Sequence, residues 1–271
     1  MHVRGPDAFE SYYTEIFPDR WQQIREAILA DNDHRSVPLQ TASSAPYFMD
    51  AASILTAKAL GPCEDHAVLD MCAAPGGKTL VLAATLGKHG SLVANERSAS
   101  RRSRLRKVIH EHVEESVAQQ IRVTSHDARR WGLYETDAYD RILADVPCSS
   151  EAHLLHGKGD LSQWTARRST RIAVDQYTIL RAALQAVRPG GRVLYATCAL
   201  SPAENELVLR KAMKKASAVH TTRLLPPDTA AVEFAAKHAI QLEERDPGYQ
   251  ILPDRSRGTG PIYFCIIQKA P

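Results

Sequence analysis

The sequence lacks the features that mark membrane, secreted and metal-binding proteins. It has no run of about 18 apolar residues, so we expect no membrane span. Its start, Met1 to Pro6, has no apolar core of the kind that forms a secretory signal. There is no Cys-x-x-Cys, and the eleven histidines show no metal-ligand spacing. We therefore predict no metal site.

The number of cysteines and the net charge are also low. The five cysteines are an odd number without paired spacing, which argues against a disulfide framework and favours a reducing compartment. The net charge of +3 over 271 residues permits a nucleic-acid partner without requiring one. Basic residues gather in three clusters, which are either solvated helix faces or phosphate contacts. The clusters are Arg97, Arg101, Arg102, Arg104, Arg106 and Lys107; Arg167, Arg168 and Arg171; and Arg210, Lys211, Lys214 and Lys215.

The order of apolar segments predicts a small helical region followed by an α/β domain. Apolar residues at helical spacing predict two helices in the first 30 residues, separated at Pro18, and a polar connector covers residues 31–45. We therefore divide the chain into a helical N-terminal extension, residues 1–45, and a larger domain, residues 46–271. From residue 67 onward short apolar strands alternate with helices, which predicts a mostly parallel sheet with helices on both faces. Ligands of such sheets bind beyond the carboxyl ends of the strands.

The first strand of this domain ends in a loop rich in small residues. The loop comprises Cys72, Ala73, Ala74, Pro75, Gly76, Gly77 and Lys78. Small side chains let the backbone approach a ligand closely, and a following helix N-terminus favours an anionic group. Gly-Lys-Thr also ends a nucleotide-triphosphate P-loop, but the first glycine of that motif would fall on Cys72. We therefore reject the P-loop interpretation.

Two acids follow the next two strands. Glu96 comes about 20 residues after the loop, where a carboxylate suits the hydroxyls of a ribose. Asp127 follows the third strand and could accept a hydrogen bond from an adenine amino group. Together with the loop, these acids indicate a site for a nucleoside cofactor.

Two cysteines follow the fourth and fifth strands. Cys148 stands in Asp145-Val-Pro-Cys, and Cys198 directly follows Thr197. If the strands are neighbours, about 4.8 Å apart, both cysteines lie on adjacent loops beside the cofactor. Either cysteine alone is more typical of a small buried residue, but the pair beside Asp145 favours nucleophilic catalysis. A thiolate that adds to carbon 6 of a pyrimidine makes carbon 5 able to take a methyl group, and a second thiol can assist release.

These motifs resemble the Fmu/Sun family of RNA cytosine-5 methyltransferases. The resemblance rests on the segments at residues 70–79, 145–149 and 196–201 and covers about residues 9–268, with similarity to the short branch that includes the mitochondrial ribosomal RNA enzyme. It implies a Rossmann-like class I methyltransferase fold with a seven-stranded, mostly parallel sheet and S-adenosylmethionine as cofactor. It implies Cys198 as nucleophile, Cys148 in release, and Asp145 and Lys78 beside the cytosine. The implied cofactor residues are Cys72, Ala73, Ala74, Pro75, Gly76, Gly77, Lys78, Glu96, Arg101, Asp127 and Asp145. The family more often has Asp where this chain has Glu96. Glutamate keeps the carboxylate but carries it on a longer side chain.

The resemblance also implies an RNA substrate, with ribosomal RNA the first choice and transfer RNA the second. A protein partner could supply RNA specificity, and His153, His156 and Lys158 are either RNA contacts or ordinary surface residues. We expect a cytoplasmic protein, with the mitochondrial matrix as the alternative. Two other functions stay open: a ribosome-assembly or RNA-binding factor, and a DNA cytosine methyltransferase, in which Cys148 would be the attacking residue.

Overall fold

The structure is a computed structural model that describes residues 4–30, 35–41, 46–216 and 222–271. Its α-helices are α1 (Pro6–Ile16), α2 (Trp21–Leu29), α3 (Ala51–Ala59), α4 (Gly77–Ala83), α5 (Ala99–His112), α6 (Glu115–Ala118), α7 (Glu151–Leu155), α8 (Arg167–Ala186), α9 (Glu206–Ala216) and α10 (Thr229–Lys237). Its strands are β1 (Ser36–Leu39), β2 (Tyr47–Asp50), β3 (Ala67–Asp70), β4 (Ser91–Asn95), β5 (Ile121–Thr124), β6 (Tyr139–Asp145), β7 (Val187–Thr197), β8 (Thr222–Leu225), β9 (Glu243–Glu244), β10 (Tyr249–Ile251) and β11 (Ile262–Lys269).

The central sheet has the predicted Rossmann-like α/β architecture. Its order is β5-β4-β3-β6-β7-β11-β10-β9, and β8 pairs with β11 along a different stretch from β10. The strands from β5 to β7 in this order are parallel, whereas β11 is antiparallel to β7. The described sheet contains nine strands instead of the predicted seven. The difference is the edge pair β9 and β10, whose two and three residues are too short to leave a pattern in the sequence.

Helices bury both faces of the sheet, which explains why its inner strands are continuously apolar. Leu69, Ile142 and Val193 belong to one buried cluster, together with α8. One chain neighbour of each belongs to the opposite cluster, together with α3: Val68, Leu143 and Leu194. This alternation follows from the pleat of a strand, which points successive side chains to opposite faces. The strand ends are thereby held rigidly at one edge of the sheet.

The N-terminal helices pack against the loops that carry the cysteines. Helices α1 and α2 are separated near Pro18, as predicted, and bury Phe9, Tyr13 and Trp21 against Leu154 and Trp164. Of the predicted connector, residues 31–34 and 42–45 lie outside the described residues. Between these gaps β1 forms an antiparallel hairpin with β2. The hairpin joins the two sides of the proposed boundary at residue 45, and that boundary stays a prediction.

Two local features differ from the sequence-based expectations. The turn expected at residues 189–191 is an irregularity inside β7, because Val187 pairs with Tyr139 while Arg192 pairs with Arg141. Gly190, with a φ of 78°, accommodates this irregularity. The long loop expected after β6 contains the short helix α7, which is buried at Glu151 and Leu154. The irregularity lies at the amino end of β7, whereas α7 lies beyond the carboxyl end of β6, three residues after Cys148.

Candidate active site

The carboxyl ends of neighbouring strands converge on one edge of the sheet. Asp70 is in register with Ala94 and Leu143, and Asp145 is in register with Ala196. Asn95 ties three of the loops at this edge together: its Nδ2 donates to the carbonyls of Met71 (3.0 Å) and His126 (3.1 Å), and its Oδ1 accepts from the His126 N–H (2.8 Å). Asn95 has no signal in the sequence, because its partners are backbone groups of distant loops.

A cavity of about 520 Å³ opens at this edge. Five residues predicted from the sequence line it: Cys72, Glu96, Arg101, Asp127 and Cys148. The others are Met71, Asn95, Arg97, Ser98, His126, Ala128, Arg129, Pro147, Ile172, Asp175, Gln176 and Ile179. The four from α8 were not predicted, because their spacing is that of any helix packed on a sheet.

Glu96 is held in place on the wall of this cavity. Its Oε1 accepts from the Ser98 N–H at 2.7 Å, and its Oε2 lies 3.2 Å from Arg101 Nη1. Arg101 Nη2 also donates to the Ala74 carbonyl at 2.7 Å. Arg101 therefore links the predicted ribose acid to the cofactor loop, and it fixes the longer Glu side chain in one position.

Asp127 is shared with a neighbouring cation. Arg129 Nη2 donates to its Oδ2 at 2.6 Å, and the Arg129 N–H donates to its Oδ1 at 3.1 Å. These hydrogen bonds hold the pKa of the Asp127 carboxyl below its usual value. Arg129 also contacts Asp175 at 3.0 Å across the cavity. Any ligand group that binds Asp127 must use the acceptor positions that Arg129 leaves open.

A second cavity, of about 130 Å³, lies beside the cofactor loop. The predicted residues Cys72, Ala73, Ala74, Pro75, Gly77, Lys78 and Asp145 line it, together with Tyr47, Met49, Ser53 and Asp70. Gly76 lines neither cavity. A Cβ atom at Gly76 would lie 2.9 Å from Val108 Cγ1, and its φ is 123°, so glycine is needed there for close packing on α5.

Lys78 and Asp145 form an ion pair in the second cavity. Lys78 Nζ lies 2.8 Å from Asp145 Oδ2 and 3.3 Å from Ser53 Oγ. The side chains are 14% and 32% exposed, so solvent screens the pair only partly. The pair places a cation and an anion next to the loop that carries Cys148.

Asp70 was not predicted as a site residue, although it begins the cofactor loop. It is 1% exposed, and its Oδ2 accepts from Thr79 Oγ1 at 2.8 Å. Its Oδ1 has no hydrogen-bond partner among the described residues. Burial raises the pKa of this carboxyl to about 7, and the neighbouring Asp145 carboxylate adds to the increase.

Cys148 and Cys198 meet at this edge, as the strand order predicted. Their sulfur atoms are in contact and their Cα atoms are 6.3 Å apart, a separation that also permits a disulfide. Cys198 Sγ lies 3.6 Å from Ser150 Oγ. The other three cysteines, Cys63, Cys72 and Cys265, are free.

The three basic clusters have different surroundings. On α5, Arg102 donates to the Glu96 carbonyl at 2.9 Å, whereas Arg104 and Arg106 are exposed and form no ion pair with any described residue. The cluster at the start of α8 is largely exposed. On α9, Arg210 pairs with Asp246 at 3.1 Å, and Lys211 Nζ lies 4.5 Å from the centre of the Tyr177 ring.

The histidines after Cys148 are engaged locally. His153 Nδ1 lies 2.6 Å from Ser150 Oγ, and His156 Nδ1 lies 2.9 Å from the Ala152 carbonyl. Lys158 is exposed. No group of three or more His, Cys, Asp or Glu side chains within the described ranges could hold a metal ion. Within the same ranges, no helix is both long enough and apolar enough to span a bilayer.

Comparison with known proteins gives the family. The family model described as 16S rRNA methyltransferase RsmB/F matches residues 57–264. The 5-cytosine rRNA methyltransferase NSUN4 of Mus musculus is 38% identical over 235 residues, which cover 83% of this chain and 60% of that protein. A mitochondrial tRNA (cytosine(34)-C(5))-methyltransferase of Danio rerio is 34% identical over 229 residues, covering 82% and 60%.

A solved structure supports the fold. A methyltransferase homologue from Pyrococcus horikoshii superposes with a TM-score of 0.68 at 19% identity, covering 98% of this chain and 95% of that one. The chain spans about 60% of the length of the curated relatives named above. The family match covers most of this chain and includes both cysteine motifs, which confirms the resemblance seen in the sequence. The chain belongs to the RsmB/F family of 16S rRNA methyltransferases.

Proposed function

We propose that this chain transfers a methyl group from S-adenosylmethionine to carbon 5 of a cytosine in RNA. The observation that carries the proposal is the contact between the Cys148 and Cys198 sulfur atoms at the edge that also holds the Lys78–Asp145 pair. The relatives named above modify cytosine in ribosomal or transfer RNA according to their names, which supports ribosomal RNA first and transfer RNA second.

The larger cavity fits the proposed cofactor. Its volume of about 520 Å³ lies in the range of small-molecule sites. Glu96 offers acceptors for ribose hydroxyls, and Ile172 and Ile179 offer an apolar wall for a base. The buried Oε1 of Gln176 has no partner among the described residues and provides one more acceptor on this wall. When bound, S-adenosylmethionine supplies an electrophilic methyl group.

Residues of the smaller cavity would hold the methionine part of the cofactor and the target base. Asp145 and six residues of the cofactor loop line the smaller cavity, and Cys72 lines both cavities. Lys78 and Asp145 contact the cytosine ring and stabilise the charge that develops on it. Their ion pair orients both groups before the base arrives.

The two thiols divide the covalent chemistry between them. The Cys198 thiolate forms a bond to carbon 6, which raises the electron density at carbon 5. After carbon 5 has been methylated, the Cys148 thiolate takes the proton from carbon 5, and the electron pair of that C–H bond expels the Cys198 thiolate from carbon 6. Cys148 assists this release, and its contact with Cys198 places it at the bond that must break.

An exposed surface beside the smaller cavity would receive the RNA. Tyr47 and Met49 of β2 line that cavity, and their neighbour Phe48 is 62% exposed. The Tyr47 ring lies 5.1 Å from the His112 ring at the end of α5, so the hairpin and the basic helix form one surface. An exposed aromatic ring can stack on a base, and Arg104 and Arg106 can bind phosphates.

Two finer points are also proposals. A protein partner that helps to select the RNA is compatible with this small basic surface. The name of the Danio rerio relative places that protein in mitochondria, which favours the mitochondrial alternative for this chain over the cytoplasm. Fractionation of cells that express the tagged chain tests the compartment.

A trapping assay with single substitutions tests the function. Purified parent, Cys148→Ala and Cys198→Ala proteins are incubated with S-adenosylmethionine and total RNA, then separated on a denaturing gel. We expect methyl transfer by the parent, a covalent RNA adduct with Cys148→Ala and none with Cys198→Ala. Cys265→Ala, which removes a buried free thiol away from the site, is the matched control and keeps transfer.

The other outcomes separate the alternatives. RNA binding without methyl transfer or adduct would favour an RNA-binding or assembly factor. An adduct that requires Cys148 and forms on DNA would favour a DNA cytosine methyltransferase. Sequencing of the trapped RNA identifies the substrate and the cytosine.

A further inference from the structure

Two buried acids lie on the segments that follow the two cysteines. Glu151 is three residues after Cys148, and Glu204 is six residues after Cys198. Both side chains are 0% exposed, and neither forms an ion pair with any described residue. Burying a carboxyl without a counter-charge is costly unless hydrogen bonds compensate. The position of these two acids therefore calls for a specific reason.

Each acid reaches across to the loop of the other cysteine. Glu204 Oε2, from the Cys198 side, accepts from the Ser149 N–H at 2.9 Å. Glu151 Oε2, from the Cys148 side, accepts from the Leu200 N–H at 3.0 Å. Ser149 also donates its hydroxyl to Glu151. The two loops are thus joined by reciprocal hydrogen bonds to backbone groups next to the cysteines.

Two further side chains connect this junction to its surroundings. Tyr13 of α1 donates its hydroxyl to Glu151 at 2.7 Å. Gln176, on the wall of the larger cavity, donates to Glu204 Oε2 at 2.9 Å and to the Pro147 carbonyl at 3.0 Å. The Cys148 loop is therefore held on both sides of the cysteine, at Pro147 and at Ser149.

The Cys198 loop has an additional support of its own. Thr197 Oγ1 donates to Asn205 Oδ1 at 2.6 Å, and Asn205 Nδ2 donates to the Ala199 carbonyl at 2.9 Å. These bonds flank Cys198 and involve neither acid. Loss of Glu204 should consequently displace Cys148 more than Cys198.

We propose that Glu204, together with Glu151, is a positioning residue that holds Cys148 against Cys198 for the release of methylated RNA. The inference rests on the proposed function, and it assigns to these acids a step that follows nucleophilic attack. Asn205 positions Cys198 for the attack itself. The two loops thereby have separate supports for the two halves of the reaction.

The proposal predicts opposite effects of neighbouring substitutions. In Glu204→Ala, we expect release to slow about 100-fold, because a misplacement of about 1 Å costs that much, so that the RNA adduct accumulates as in Cys148→Ala. Glu204→Gln keeps an acceptor for the Ser149 N–H and should largely restore release. Asn205→Ala should instead slow adduct formation and accumulate no adduct. Rapid-quench single-turnover reactions on denaturing gels measure both steps.

Controls separate positioning from general loss of stability. Tyr139→Phe removes a hydrogen bond to Glu135 at the start of β6, at the opposite end of that strand from the Cys148 loop, and should leave the adduct fraction unchanged. If Glu204→Ala does not fold, as judged by its melting temperature, Gln176→Leu removes the donors to Glu204 and Pro147 and should give the same adduct accumulation. Because Gln176 also lines the larger cavity, this variant is assayed at saturating S-adenosylmethionine, where cofactor affinity does not limit adduct formation. The proposal is overturned if these variants slow formation and release equally, or if Asn205→Ala accumulates the same adduct. Failure of the proposed function itself is recognised separately, because the parent would then transfer no methyl group and Cys148→Ala would trap no RNA.

Discussion

The ammonium group of Lys78 lies 2.8 Å from the carboxylate of Asp145, in the smaller cavity that the cofactor loop lines. The two residues are 67 positions apart in the chain and are brought together because β3 and β6 are neighbours in the sheet. Their ion pair places fixed charges beside the proposed position of the cytosine. Substitution of either partner should therefore affect chemistry more than folding.

Lys78→Met should lower kcat by about 100-fold to 1,000-fold, the usual effect of removing one preorganised electrostatic contact to a developing charge. The remaining Asp145 carboxylate is partly exposed, so the fold should tolerate the change. Single-turnover methylation measures the decrease in rate, and thermal melting measures whether the fold is retained. Lys88→Met, at an exposed lysine, is the matched control. An equal decrease of kcat in Lys78→Met and Lys88→Met would contradict a role for Lys78 in the reaction.

Asp70 should make stability depend on pH. Its carboxyl has a pKa of about 7 in the folded protein and about 3.9 in an unfolded chain, so the folded state keeps a proton that the unfolded state loses. This contribution to stability is complete below about pH 4 and is lost as pH rises towards 7, by about 1.4 kcal/mol per pH unit.

Asp70→Asn removes this titration and preserves an acceptor for Thr79. Between pH 4 and 7 its free energy of unfolding should fall less steeply than that of the parent, and above pH 7 the two slopes should agree. Denaturant unfolding at several pH values measures the difference. Parallel curves over the whole range would show that Asp70 does not titrate as stated, and Asp7→Asn, at an exposed aspartate, is the control.

Arg104→Glu should weaken RNA binding in a salt-dependent manner. Arg104 is exposed on the surface that α5 forms with the hairpin, and losing one phosphate contact should reduce the slope of log K against log salt by about 1. Filter binding at several salt concentrations measures the slope. Arg181→Glu makes the same charge change on the exposed side of α8. An identical change of slope in both variants would argue for net charge alone instead of a local contact.

Oxidation should inactivate the protein reversibly. The Cα atoms of Cys148 and Cys198 are 6.3 Å apart, so a diazene oxidant such as diamide can take two electrons and two protons from the thiols and leave a disulfide. The nucleophile is then absent, and a dithiol reductant should restore methyl transfer. Peptide mass spectrometry under non-reducing conditions identifies the bond. In Cys148→Ala, formation of the RNA adduct should resist diamide, and sensitivity equal to the parent would indicate another target.

The sequence by itself was enough to predict the architecture and the family. A parallel sheet that is buried on both faces requires short apolar strands that alternate with helices. This pattern can be recognised in one sequence. Chemically distinctive residues at strand ends, such as Cys148 and Cys198, could be placed on one edge because parallel strands end together. The motifs around them were sufficient for the family, which the comparisons confirm.

Only the tertiary structure decided which groups hold those residues in place. Glu151, Gln176 and Glu204 lie on helices or turns where acids and amides are common, so no local pattern distinguishes them from surface residues. Their importance arises from burial and from hydrogen bonds to residues that are distant in the chain. Glu204, for example, accepts from Gln176, which is 28 residues away, and from Ser149, which is 55 residues away. The short edge strands and the irregularity in β7 depend likewise on pairing with distant segments, which a sequence pattern of a few residues does not encode.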